Sequence, residues 1–198
     1  MNKKIFFKNI ISIFMVCVFF LTNVFCLEAE AEEELKEASG CTFVINSEFV
    51  PAGSGLFVNR NRPMESSSIS YSIYSDGSDL MLTNREKGEN EGKTHDGTME
   101  TMAKLDKKSY EKMIASAYNG EYGEDVGFNV SSFENITIDG YPGYKIVASY
   151  QPSNSQCIYQ TVFIIRSKHR IFTVTYQRAE DDECEESFEI SAGTIRVK

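Results

Sequence analysis

Polar and apolar residues alternate clearly over residues 68–74. Ile69, Tyr71 and Ile73 fall on one side, and Ser68, Ser70 and Ser72 on the other. A period of two predicts a strand with one buried face. Asp76-Gly77 is a hairpin turn signal, with Leu80-Met81-Leu82 as its return. Upstream, Thr42-Phe43-Val44-Ile45 and Leu56-Phe57-Val58 read as strands, interrupted by Pro51 and Gly53-Ser54-Gly55. Residues 86–98 are polar, glycine-bearing and aperiodic, which predicts a long exposed loop. The period then changes. Tyr110, Met113, Ile114, Ala117 and Tyr118 are spaced i, i+3, i+4, i+7, i+8. That stripe predicts a helix over 107–118, capped by Asp106, stopped at Gly120 and extended backwards by Met99, Met102 and Leu105.

The second half predicts an antiparallel meander. Asn135-Ile136-Thr137-Ile138 runs into the turn Asp139-Gly140-Tyr141-Pro142-Gly143. Tyr144, Ile146, Ala148 and Tyr150 then share a face, and 158–165 is an almost continuous apolar run suited to a sheet interior. Residues 171–176 complete a hairpin about Ser167-Lys168-His169. The acidic run 180–186 opens a last helix to about Ala192, where carboxylates complement the helix dipole. Thr194-Ile195-Arg196-Val197 supplies a short closing strand. The expected fold is α+β: a twisted antiparallel sheet packed by a middle helix and a C-terminal helix.

The first residues read as an address. Lys3, Lys4 and Lys8 precede an apolar run over 10–21, and Ala29-Glu30-Ala31 offers small residues before a cut at Glu32. This is the pattern of a secretory signal peptide. Its apolar run falls short of the ~20 residues of a spanning helix. An uncleaved anchor, or a lipid on Cys26, are the alternatives. The expected division is a signal peptide over 1–31, an acidic flexible tether over 32–40 and one α/β domain over 41–198. The expected location is secreted or extracellular, with a membrane-anchored alternative.

Composition adds little to the fold and more to the partners. The 198 residues carry a formal charge of −9, and loss of 1–31 would remove three lysines against two glutamates. An acidic chain of this kind has no bulk field for nucleic acid or anionic lipid. Membrane contact is expected only through the export segment, and the expected partner is an unknown protein at the cell surface or envelope.

Residues with chemistry are sparse. His169 sits in a hairpin tip and His95 in a polar loop. No G-x-S-x-G elbow, complete phosphate-binding loop or C-x-x-C occurs, and the acidic run 180–183 lacks calcium-loop spacing. No catalytic, cofactor-binding or metal residue is assigned. Cys41, Cys157 and Cys184 follow the export segment. The predicted hairpin sets Cys157 opposite about Ala179, so a Cys157–Cys184 disulfide is one reading, worth roughly 3–4 kcal/mol. Three buried or free thiols are the other. The chain has ten tyrosines and no tryptophan. Tyr118, Tyr122, Tyr141, Tyr144 and Tyr150 gather about the helix end and the first meander turns. They read as a binding surface or as sheet-face packing.

The order of elements resembles the α/β sandwich shared by PsbP, the DcrB-type envelope proteins and the Mog-type Ran-binding protein. The residues that carry the resemblance are Gly143-Tyr144-Lys145-Ile146-Val147, the hairpin of 159–165 with 171–176, and Ser187-Phe188-Glu189-Ile190 with Thr194-Ile195-Arg196-Val197. It covers about 41–198. The resemblance implies a non-enzymatic binding or envelope-assembly module. A small secreted hydrolase using carboxylates, or an acidic ligand- or ion-binding module, are the alternatives.

Overall fold

The computed structural model describes residues 35–61, 67–78, 83–90 and 97–198. The export pattern, His95 and the expected strand return at Leu80-Met81-Leu82 lie outside these residues. Among the described residues, no helix is long and apolar enough to cross a membrane.

Seven strands form one antiparallel sheet: β2 (Phe49–Gly53), β3 (Leu56–Asn59), β4 (Ser68–Ser75), β5 (Asn129–Ile138), β6 (Tyr141–Tyr150), β7 (Ile158–Arg166) and β8 (Arg170–Ala179). Their order is β2-β3-β4-β8-β7-β6-β5. The meander β5 to β8 is the one expected, with a longer first strand. β4 pairs along its whole length with β8, from Ser68 opposite Gln177 to Ser75 opposite Arg170. A separate two-stranded ribbon joins β1 (Cys41–Thr42) to β9 (Arg196–Val197).

The helices are α1 (Asn84–Asn90), α2 (Thr98–Ala103), α3 (Lys107–Tyr122) and α4 (Glu185–Ala192). Part of the stretch expected as loop is therefore helical in α1. Met99 and Met102 belong to α2, a helix of their own. Asp106 caps α3 as expected: its carboxylate accepts from the Ser109 amide at 2.7 Å, and Ser109 Oγ accepts from the Asp106 amide at 3.1 Å. The helix runs past Gly120 and ends at Gly123, whose φ of 71° suits a residue without Cβ. α4 starts later than expected because Asp182 is spent on a buried contact.

Strand alternation divides the core into two layers. Tyr144, Ile146, Ala148 and Tyr150 of β6 meet Ile158, Val162 and Ile164 of β7 under α2 and α3, with Tyr110, Met102 and Phe128. On the opposite face, Phe163, Ile165, Phe172, Val174 and Tyr176 pack under α4 and the β1–β9 ribbon, with Phe188, Ile195 and Val197. β7 is buried on both sides, which is why its sequence reads as continuous rather than alternating. Gly143 lets β6 approach β7: a Cβ there would collide with the Ile164 carbonyl oxygen.

Candidate functional site

The five singled-out tyrosines do not form one outer surface. In β6, Tyr141 is an odd position while Tyr144 and Tyr150 are even, so they point to opposite faces. Tyr141 is buried in the α4 layer, its hydroxyl donating to the Glu37 carbonyl at 2.6 Å. Tyr144 is buried in the α3 layer and donates to the Ala103 carbonyl at 3.0 Å. Tyr118 and Tyr122, one helical turn apart on α3, pack on Tyr150, with centroid distances of 4.5 and 6.1 Å. Beneath them Gln160 Nε2 donates to Tyr118 Oη at 2.7 Å and to Gln177 Oε1 at 2.8 Å. The cluster thus fastens α3 to the sheet. Burial pushes the Tyr150 hydroxyl far above its ordinary value, and it stays protonated.

One carboxyl borders this cluster. Glu121 has a buried Oε2 with no hydrogen-bond partner. Burial pushes its pKa up to about 7, because desolvation disfavours the anion.

The three described cysteines are all thiols. Of the two readings of Cys157 and Cys184, a disulfide or free thiols, the structure holds the second. Cys184 is buried at the start of α4 and donates to Ser67 Oγ at 3.6 Å, while Cys157 stays half-buried outside β7. Ser67 in turn donates to Asp182, whose carboxylate also accepts from the Ala179 amide at 3.0 Å. The acidic run is dispersed in the same way. Gln156 donates to Asp181 at 2.8 Å, and Glu185 pairs with Arg178 at 3.0 Å. No group of three metal-ligating side chains occurs among the described residues.

A cleft of about 410 Å³ lies where the segment before β1 crosses the β7–β8 hairpin tip, lined by Glu37, Ala38, Ser39, Ser167, His169, Arg170 and Lys198. The sequence predicts a flexible tether over 32–40. From Lys36 on it is bonded instead. The Lys168 amide donates to the Lys36 carbonyl at 3.0 Å, and Arg170 Nη1 donates to the carbonyls of Ala38 and Ser39, each at 2.9 Å. Ser39 and Gly40 amides donate to the Lys198 carbonyl.

His169 lies at the hairpin tip yet is largely covered. Its side chain is only 20% exposed, with Nδ1 3.2 Å from Asp76 Oδ2 and Nε2 3.8 Å from Glu37 Oε1. The β4–β8 register brings Asp76 there, 93 positions away in sequence. No local spacing shows such a pair. Ser167 Oγ donates to the Arg170 carbonyl at 3.2 Å, so this serine is not presented to the imidazole as a nucleophile would be.

A second feature escaped the sequence reading. Val44 and Ile190 are 63% and 64% exposed. Both lie along the seam where the chain after β1 runs beside α4. The Val44 carbonyl accepts from Ser191 Oγ at 2.5 Å, the Val44 amide donates to Thr194 Oγ1 at 2.8 Å, and Asn46 Nδ2 donates to Ser187 Oγ at 3.0 Å. Exposed Glu186 and Glu189 border Ile190 on α4.

These features define an α+β protein whose antiparallel sheet is packed by helices on both faces. No protein-family model matches the chain, and no curated protein matches it either. Solved structures similar to it include a PsbP (CyanoP) from Synechocystis sp. PCC 6803, 16% identical with a TM-score of 0.47, covering 81% of this chain and 83% of that one. They also include LpqN, described as involved in cell envelope biogenesis of Mycobacterium tuberculosis, 13% identical with a TM-score of 0.43, covering 80% and 83%. PsbP, named above as a resemblance, is thus among the structures this chain is similar to.

Proposed function

We propose that the chain is an exported binding module that docks a partner protein through the seam between α4 and the segment after β1. The observation that carries this reading is the exposure of Val44 and Ile190 on one seam. A β-branched pair left in water beside a helix gains by burial, at roughly 25 cal/mol per Å² of apolar area. The acidic rim of Glu186 and Glu189 favours a partner with an apolar anchor and flanking Lys or Arg. The rest of the polar surface described above works inward: Arg170, Asp182 and Gln160 each hold one segment of the chain to another.

The test is photo-crosslinking in the native cell, with a photoreactive amino acid placed at Ile190. The expected result is a discrete adduct with one envelope or extracellular protein, lost when Val44 is replaced by Asp. Crosslinking only to solvent, or an adduct indifferent to Val44→Asp, overturns the reading.

The cleft supports a second reading, hydrolysis by acid–base chemistry, because His169 stands between two carboxylates at its wall. Turnover of a hydrolysable substrate that disappears in His169→Gln would favour it over docking.

A further inference from the structure

The two edges of the seven-stranded sheet are built differently. β2 is short, contains Pro51 and is bulged between Pro51 and Gly53. Each of these devices discourages a further strand. β5 is ten residues long and has neither proline nor lysine. Its irregularity is confined to Val130–Ser132, and there the Val130 amide is taken by Glu111 Oε2 at 2.9 Å. From Phe133, opposite Ile146, to Ile138, opposite Tyr141, the ladder with β6 is regular. No described strand pairs with the outer side of residues 133–138. Alternate residues there hold their N–H and C=O outward, as a template for another strand.

We propose that this edge pairs with the same edge of a second copy, in antiparallel fashion about a two-fold axis centred on Asn135. Three observations choose a second copy as the occupant. The axis sets Asn135 opposite itself, and a carboxamide is both donor and acceptor, so two of them are mutually complementary. The chain is acidic overall, yet this edge is locally neutral: Glu134, the only charge on β5, lies opposite Lys145 of β6. The same register sets Phe133 opposite Thr137 and Glu134 opposite Ile136, so no two like charges face each other. It also extends both core layers across the junction, since Phe133 packs on the α3 layer and Ile136 and Ile138 on the α4 layer. The inference is independent of the docking seam, which lies on α4.

Sedimentation of the purified protein across the micromolar to millimolar range tests it. The expected result is a reversible rise to twice the monomer mass. Asn135 and Thr137 are exposed, so Asn135→Lys/Thr137→Lys leaves the fold intact, checked by circular dichroism, while setting lysines against each other at the axis; it is expected to be monomeric throughout. Asn135→Asp, a smaller change, is expected to weaken association by about tenfold or more through like-charge contact. Ala52→Lys on the β2 edge is expected to leave association unchanged. A wild type that stays monomeric overturns the proposal. So does a dimer that survives the double substitution, or a complex whose added mass is a different protein.

Discussion

The ring of Tyr118 stacks on that of Tyr150 at 4.5 Å with 22° between their planes, joining the last turns of α3 to the end of β6. Tyr150 is 5% exposed, and its hydroxyl lies 3.4 Å from Gln177 Oε1. The ring supplies apolar area, while the hydroxyl belongs to the polar group under the helix. Tyr150→Ala is expected to cost about 3–5 kcal/mol, as for other buried aromatic truncations. Tyr150→Phe keeps the ring and loses the hydroxyl's hydrogen bonds with Gln177 and Tyr122, for about 1 kcal/mol each. Urea unfolding of both variants checks the ratio. Equal losses would mean that the hydroxyl network, rather than the ring stack, holds α3.

Much of this region was legible in sequence. The i, i+3, i+4 stripe of α3 and the alternation of β6 follow from local periods, and they place Tyr118 and Tyr150 on inward faces. What the sequence left open was whether a tyrosine on an inward face is covered. That depends on which helix lies over which strand. Tyr141 shows the same limit from the other side, since its cover is the segment at Glu37. The His169–Asp76 pair is less legible still. It exists only because β4 pairs with β8, a pairing between segments about a hundred positions apart that no local spacing shows. Val44 and Ile190 illustrate a third case: β-branched residues in elements with a buried face are expected inside, and only the packed seam shows them outside.

The thiols make a direct check on the free state of Cys157 and Cys184. Cys41 and Cys184 are buried, and burial pushes their pKa values up, that of Cys41 to about 11. A thiolate is the reactive species, so both are shielded twice over. Cys157 is half-buried. A disulfide reagent at neutral pH should label Cys157 rapidly in the folded protein and the other two only on unfolding. Peptide mapping of the labelled site reads the outcome. Native protein that yields no rapid thiol, with a linked Cys157–Cys184 peptide, would show the bond to form after all.

Glu121 sets a pH dependence of stability. Its pKa rises from an ordinary 4.5 to about 7 in the folded chain because burial disfavours the anion. The folded state therefore binds this proton more tightly than the unfolded state. Its contribution is fully present below 4.5, declines as pH rises towards about 7 and is flat beyond. The side chain is partly exposed, so solvent screening limits the swing to about 1 kcal/mol. Glu121→Gln is expected to remove that slope and to be the more stable protein above neutrality. Chemical unfolding of both proteins on either side of this window measures the difference. Parallel pH profiles would exclude Glu121 as the source.

Arg170 governs whether the segment before β1 stays docked. One guanidinium nitrogen donates to two successive carbonyls, Ala38 and Ser39, while the backbone of the same hairpin tip holds Lys36. Charged hydrogen bonds of this kind contribute roughly 1.5–3 kcal/mol. Because they tie down a peripheral segment, their loss should appear as local opening rather than global unfolding. Arg170→Ala is expected to leave the global unfolding midpoint nearly unchanged and to speed proteolytic cleavage around Lys36. Arg170→Lys, with a point charge in place of the planar fork, is expected to fall between. Ala38 is buried, so wild-type protein should resist cleavage there. If trypsin cuts after Lys36 equally fast in wild type and Arg170→Ala, the segment is not held by the guanidinium, and the cleft it helps to wall is not a fixed feature of the surface.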